Sequence, residues 1–170
     1  HELREKADRL AAGLLALGVY KRDRVGIWSP NRPEWVLAQF ATARIGAILV
    51  NVNPAYQTAE LDYALNKVGC KALILATQHS KSNYVGMLRE LAPELDAARP
   101  GDLRAARLPE LRAAIQLGPE TAPGMLAFDE VMALGAASPG ALSRLDAISA
   151  SLTPDDPINI QFTSGTTGSP

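Results

Sequence analysis

Thr163, Ser164, Gly165, Thr166, Thr167 and Gly168, followed by Ser169 and Pro170, gather hydroxyl side chains and glycines into one short run. Hydroxyls donate hydrogen bonds, and glycine admits the positive φ values that turn successive backbone N–H groups toward one anion. Such a set of donors suits a polyphosphate. It has no acid or base that works near neutral pH, so it would hold and neutralise charge rather than move protons. Its spacing differs from that of the common P-loop, which has four residues between its glycines and Lys-Ser/Thr after the second. A mobile Ser/Thr/Gly linker has the same composition. Context favours the phosphate reading: the run follows Ile158-Asn159-Ile160-Gln161-Phe162, a compact predicted strand, and α/β proteins present ligand sites at the carboxyl ends of their strands.

The other reactive side chains form weaker constellations. Cys70 and His79 would make a nucleophile and base only if the fold joined them, and no local signature supports the pair. Cys70 heads the apolar run 70–75, where a small buried residue is the expectation. With His1 terminal, two histidines and one cysteine make no metal site at a known spacing. Arg99, Arg104, Arg107 and Arg112 are interleaved with Asp102 and Glu110 and read as a solvated face.

The elements that would position these residues alternate. In residues 2–17, Leu3, Ala7, Leu10, Ala11, Leu14 and Leu15 recur at three- and four-residue steps, which predicts an amphipathic helix, with Gly18 as a left-handed stop. Residues 24–28 read as a strand. A helix over about 32–45 follows, with Asn31 as cap, Pro33 in its first turn and Gly46 after it. Residues 47–51 form a second strand, closed by the turn Asn53-Pro54-Ala55-Tyr56. Thr58 is placed to cap a third helix whose buried stripe is Leu61, Ala64, Leu65 and Val68, ending at Gly69. Residues 71–76 are continuously apolar, as in a strand covered on both faces.

Residues 80–91 are predicted as a helix with Tyr84, Met87, Leu88 and Leu91 inward. Residues 99–125 read as a surface excursion with one possible strand at 112–117, and residues 129–134 and 142–152 as short helices. Trp35, Phe40, Tyr56 and Tyr63 are expected to be packing residues rather than ligand contacts. Parallel strands need crossover helices between them, so this alternation predicts an α/β fold with a mostly parallel sheet flanked by helices.

With 170 residues, 47% hydrophobic content and a net charge of −1, the chain has the composition of a globular protein. Near-neutral charge gives no general attraction to nucleic acid. No apolar stretch approaches the roughly 20 residues that span a bilayer. The sequence opens inside a helical pattern and stops inside a glycine-rich loop, so both ends are expected to be cuts, and a targeting peptide would lie outside it.

The run 163–170 resembles the signature loop of the adenylate-forming (AMP-binding) superfamily, which includes acyl-CoA synthetases, luciferases and the adenylation domains of peptide synthetases. Further stretches fall in the order of that family's N-terminal subdomain: residues 23–27, Asn31 with Glu34-Trp35, residues 46–48 and Asn53-Pro54. Residues 51–56, 67–73 and 156–162 are most similar to the medium-chain acyl-CoA synthetase branch that holds family member 2 and its bacterial relatives.

The resemblance implies that residues 1–170 are the N-terminal part of a large AMP-binding domain, the rest of that domain and a C-terminal lid lying elsewhere. It implies a fatty carboxylate, ATP, Mg2+ and coenzyme A as reactants and cofactors. Ser164, Thr166 and Thr167 would then be side-chain phosphate donors, Gly165 and Gly168 backbone-exposing positions and Thr163 a weaker member. The catalytic lysine, the magnesium-holding acid and the acyl pocket would lie downstream of Pro170. Bacterial relatives would be cytoplasmic and animal ones mitochondrial. Alternatives are an aryl-CoA ligase, a luciferase-like enzyme or a peptide-synthetase adenylation domain on the same scaffold, a non-catalytic fragment, or a nucleotide- or flavin-binding α/β module. The last is weakened by the lack of a Gly-x-Gly-x-x-Gly turn after the early strands.

Overall fold

Side chains alternate across a strand, so an apolar run hidden at both parities needs a cover on each face. The computed structural model describes residues 1–162 and meets that requirement. Helix α1 (Glu2–Ala16) leads into β1 (Arg24–Trp28), then α2 (Pro33–Arg44), β2 (Ile48–Asn51), α3 (Thr58–Val68) and β3 (Cys70–Ala76). A small antiparallel hairpin follows, β4 (Gln78–His79) with β5 (Ser82–Asn83), and then α4 (Tyr84–Leu91) and a 3-10 turn at Pro93–Ala97. The remaining elements are β6 (Ala113–Leu117), β7 (Leu126–Ala127), α5 (Phe128–Ala137), α6 (Ala141–Ala150) and β8 (Asn159–Gln161). Thr163 to Pro170, and with them the whole predicted phosphate-binding run, lie outside the described residues.

Six strands form one sheet in the order β7-β6-β3-β1-β2-β8, every neighbouring pair parallel. One parity of the strands, Val25, Ile27, Leu49, Ala72, Ile74 and Ile115, packs with Leu10, Leu14, Ala38 and Ala41 of α1 and α2 and with Val131 of α5. The other parity, Trp28, Val50, Leu73, Leu75 and Ala114, packs with Leu61 and Leu65 of α3 and Leu88 and Leu91 of α4. The α/β expectation therefore holds, with two cores back to back across the sheet.

Helix α1 crosses α5 closely enough that side chains are excluded at the crossing. A Cβ built on Gly13 would lie 2.0 Å from the Val131 carbonyl oxygen, and one on Gly135 1.9 Å from that of Arg9. Arg44, at the end of α2, ties the same layer together. Its Nε donates to Asp8 of α1 at 2.9 Å, and its two terminal nitrogens donate to Asp146 and Ser149 of α6.

Several local expectations need correction. Helix α4 starts at Tyr84 rather than 80, because Ser80 adopts a left-handed φ of 55° in the hairpin and Asn83 is the better cap, its side chain accepting from the Gly86 N–H at 2.9 Å. Thr58 does not cap α3. The cap residue is Gln57, whose N–H donates to Glu60 at 3.1 Å, while the Thr58 hydroxyl reaches Glu90. Asn31 is likewise one residue early, and the cap residue Arg32 uses its side chain to pair with Glu34. Helix α5 extends beyond residues 129–134 on both sides.

The stretch 99–125 is not a loose excursion. Leu103, Ala105, Leu108 and Leu111 are buried in the second core, and β6 is a fully buried strand between β3 and β7. Leu3, Phe40 and Tyr63 are exposed, not packed, because their helical positions face away from the sheet, whereas Trp35 and Tyr56 are partly buried against the two cores.

Candidate functional site

Because the sheet is parallel, Trp28, Asn51, Ala76, Leu117 and Gln161 all end at one edge. Every loop leaving that edge is a candidate for ligand contact. The chain enters it four times before β8: at 29–32, 52–57, 77–83 and 118–125.

The crevice between β1 and β3 is where the outgoing connections diverge, α2 lying on one face and α4 on the other. Such a switch point is the usual place for a nucleotide. Here it is filled by protein. The Trp28 and Tyr84 rings stack with centroids 3.8 Å apart and planes inclined by 12°. Trp28 Nε1 donates to the Asn53 carbonyl at 3.1 Å and the Tyr84 hydroxyl to the Pro54 carbonyl at 2.6 Å. Both rings are fully buried, and burial raises the Tyr84 phenol above its ordinary pKa. Beside them Gln116 donates to Thr77 at 3.0 Å and accepts from the Ala122 N–H at 2.8 Å. The 52–57 turn is thus bolted over the aromatic pair, which argues against a flavodoxin-like ligand at this position.

The edge then continues through β2 to β8, the strand from which the predicted phosphate-binding run departs. Leu49, Val50 and Asn51 pair with Asn159, Ile160 and Gln161, and the Leu49 N–H donates to the Ile158 carbonyl at 3.0 Å. Upstream, the turn 153–156 is pinned by Asp156, which accepts from the Thr153 N–H at 2.8 Å and from Lys21 at 2.9 Å. The Thr153 N–H first, then Lys21, hold the Asp156 carboxyl below the usual carboxylate range. Ile160 and Phe162 pack on the second core. The structure therefore delivers residue 162 to the carboxyl edge, as the sequence reading requires, while Thr163, Ser164, Gly165, Thr166, Thr167 and Gly168 themselves are outside what it describes.

Cys70 and His79 do not meet. The thiol is buried at the start of β3, accepting from the Gly26 N–H at 3.2 Å and donating to the Ala72 carbonyl at 3.0 Å, and burial pushes it up to about 12. His79 is exposed on the hairpin beyond the far end of the same seven-residue strand. Arg104 and Arg107 pair with Asp102 and Asp62 on the surface, consistent with a solvated face. Among the described residues no group of histidine, cysteine and acidic side chains is arranged to hold a metal. Among the described residues no helix is long and apolar enough to cross a membrane. A cavity of about 740 Å3 lies between α1 and the α5–α6 junction and is lined by no residue of the carboxyl edge.

The whole chain, residues 1–170, matches the family model for AMP-binding enzymes. It belongs to the AMP-binding enzyme family. Among curated relatives of this AMP-binding chain, the mitochondrial medium-chain acyl-CoA ligase ACSF2 of Bos taurus is 50% identical over 169 residues, covering 99% of this chain and 27% of the relative. A putative acyl-CoA synthetase of Bacillus subtilis, YngI, is 42% identical over 94% of this chain and 29% of its own length. The chain thus spans little more than a quarter of these relatives. Among solved structures, apo MbtA of Mycobacterium smegmatis matches with a TM-score of 0.70 at 29% identity, covering 98% of this chain and 26% of that one. The anthranilate CoA ligase AuaEII, crystallised with anthranoyl-AMP, matches in fold with a TM-score of 0.69 at 20% identity, covering 98% and 27%.

Proposed function

We propose that this AMP-binding chain is the N-terminal part of the large domain of an ATP-dependent acyl-CoA synthetase acting on a medium-chain fatty acid. The observation that carries the reading is 50% identity to a medium-chain acyl-CoA ligase along 99% of the chain. In the first half-reaction the carboxylate attacks the α-phosphorus of ATP and pyrophosphate leaves. In the second, the thiol of coenzyme A displaces AMP from the acyl-adenylate. The first step depends on alignment and on neutralising charge that grows on the leaving group.

Ser164, Thr166 and Thr167 supply hydroxyl donors for the β- and γ-phosphates in this proposal. Gly165 and Gly168 expose backbone N–H groups, and Thr163 contributes at the margin. Hydroxyls and amides fit phosphate oxygens, and the run 163–168 carries no carboxylate to anchor a cation by itself, so we assign these residues to phosphate. Magnesium, when bound beside the triphosphate, would add further neutralisation of the leaving pyrophosphate. The animal relative is a mitochondrial protein by name. For an animal source we propose the mitochondrial matrix, and for a bacterial one the cytoplasm.

The test is the full-length enzyme carrying Thr166→Ala and Thr167→Ala. ATP–pyrophosphate exchange with a medium-chain acid should fall by roughly 100-fold or more, as for other donors to developing charge, with thermal unfolding unchanged. Pyrophosphate exchange at the parent rate would reject the assignment of the loop. An acid panel that includes aromatic and amino acids tests the substrate class: turnover of those in preference to medium-chain acids would move the enzyme to the aryl or peptide-synthetase branch.

A further inference from the structure

Strand β8 is short, and the run proposed to hold phosphate follows it directly in the sequence. It has three residues, none fully buried, and among the described residues it pairs only with β2. The inner strands β1 and β3 bury nearly every residue. Ile160 packs on the second core and so seats one face of β8, while Asn159 lies on the opposite face.

A side-chain relay fixes that opposite face. Asn159 Nδ2 donates to Gln39 Oε1 of α2 at 2.9 Å, and Asn51 Nδ2 of β2 reaches Asn159 Oδ1 at 3.4 Å. The relay joins residues 120 and 108 positions apart, and it links the strand to the sheet and to the helix covering it. A slip of β8 by one residue would send Asn159 to the opposite face and put an apolar neighbour against Gln39. Two relay atoms, Gln39 Nε2 and Asn51 Oδ1, are shielded from solvent and have no hydrogen-bond partner among the described residues. Polar groups so placed carry a desolvation cost, which a purely apolar contact between β2, β8 and α2 would avoid.

We infer that Asn159 is a positioning residue for adenylation: through Gln39 and Asn51 it locks the height and register of β8, and so the point from which residues 163–168 reach the triphosphate. This rests on the reading of those residues as phosphate donors. The relay touches no substrate in this account and acts only through the strand. Its loss should therefore weaken alignment in the transition state more than binding in the ground state.

The experiment uses the full-length enzyme and ATP–pyrophosphate exchange with saturating acid. Asn159→Leu removes both hydrogen bonds while keeping a strand-compatible side chain of similar size. A misplacement of about 1 Å can cost on the order of 100-fold in rate, and kcat should fall at least about tenfold, with the KM for ATP within about threefold of the parent. The thermal midpoint should stay near the parent value. Asn159→Asp should restore kcat to within about threefold, because Asn51 still donates to it and the idle Gln39 Nε2 can turn to do the same. Gln39→Leu should add little to Asn159→Leu, since the two act in one relay.

A parent-like kcat in Asn159→Leu, or an Asp variant as slow as the Leu variant, overturns the inference. A kcat loss in Asn159→Leu that tracks a large drop in thermal midpoint, with Gln39→Leu adding its own full effect, also overturns it in favour of general destabilisation. The underlying reading fails separately. If Thr166→Ala with Thr167→Ala leaves exchange intact, the loop assignment is wrong whatever Asn159 does. If that double variant is slow and Asn159→Leu is not, only the positioning role is lost.

Discussion

Cys70 is held by the Gly26 amide and the Ala72 carbonyl in the middle of the second core, and burial pushes its thiol up to about 12. At pH 8 on the order of one molecule in ten thousand would carry the thiolate, the only form that reacts with electrophiles. Native protein treated with a maleimide should therefore leave the Cys70 peptide unmodified in mass mapping, whereas denatured protein should be fully labelled there. Labelling of the native protein within minutes would contradict the packing described for β3. Asp156 shows the opposite shift. Its carboxyl is depressed by the Thr153 N–H and by Lys21. Its contribution is present above the unfolded carboxylate pKa and is lost as the pH falls through the folded one, so the turn leading into β8 is held throughout the neutral range.

At the scale of elements, the layer formed by α1, α2, α5 and α6 is set by a close crossing and an ion-pair clamp. Gly13 and Gly135 let the α1 and α5 backbones touch, and Arg44 joins three of the four helices. In an isolated helix Gly135→Ala would be favourable by about 1 kcal/mol. Here the added methyl would fall 1.9 Å from the Arg9 carbonyl oxygen, a backbone atom that moves only if a helix moves. Overpacking should win, with a net loss of about 2–3 kcal/mol in chemical denaturation of the full-length protein. A neutral or stabilising result would show that α1 and α5 lie further apart. The aromatic stack of Trp28 on Tyr84 does for the carboxyl edge what these glycines do for the helical layer: it excludes alternatives, here a ligand at the β1/β3 crevice.

For the whole molecule, the described residues hold two cores and one six-stranded parallel sheet, yet among them no group of histidine, cysteine and acidic side chains is arranged to hold a metal. Expressed alone, the chain should fold but show no ATP–pyrophosphate exchange above background with any medium-chain acid, since it spans 27% of a relative carrying the complete activity. Turnover by the isolated chain would mean that the chemistry has been sought in the wrong place.

The sequence by itself determined the parallel α/β class, because the runs at β1, β2 and β3 are apolar at both parities and the helices between them carry one-sided stripes. It also singled out the run after β8 as the proposed phosphate-binding segment, a reading that needs both its hydroxyl and glycine content and the strand that precedes it. Two-residue strands have no period to detect, so the helical expectation over residues 80–91 takes in the second half of the 78–83 hairpin. Amphipathic position, not aromatic character, decided that Phe40 and Tyr63 face solvent. Only the tertiary structure joined Gln39 to Asn159, Arg44 to Asp146 and Trp28 to Tyr84. Those contacts link residues dozens to more than a hundred positions apart. Local pattern carries no information about such pairs, because the chain must close on itself before they exist.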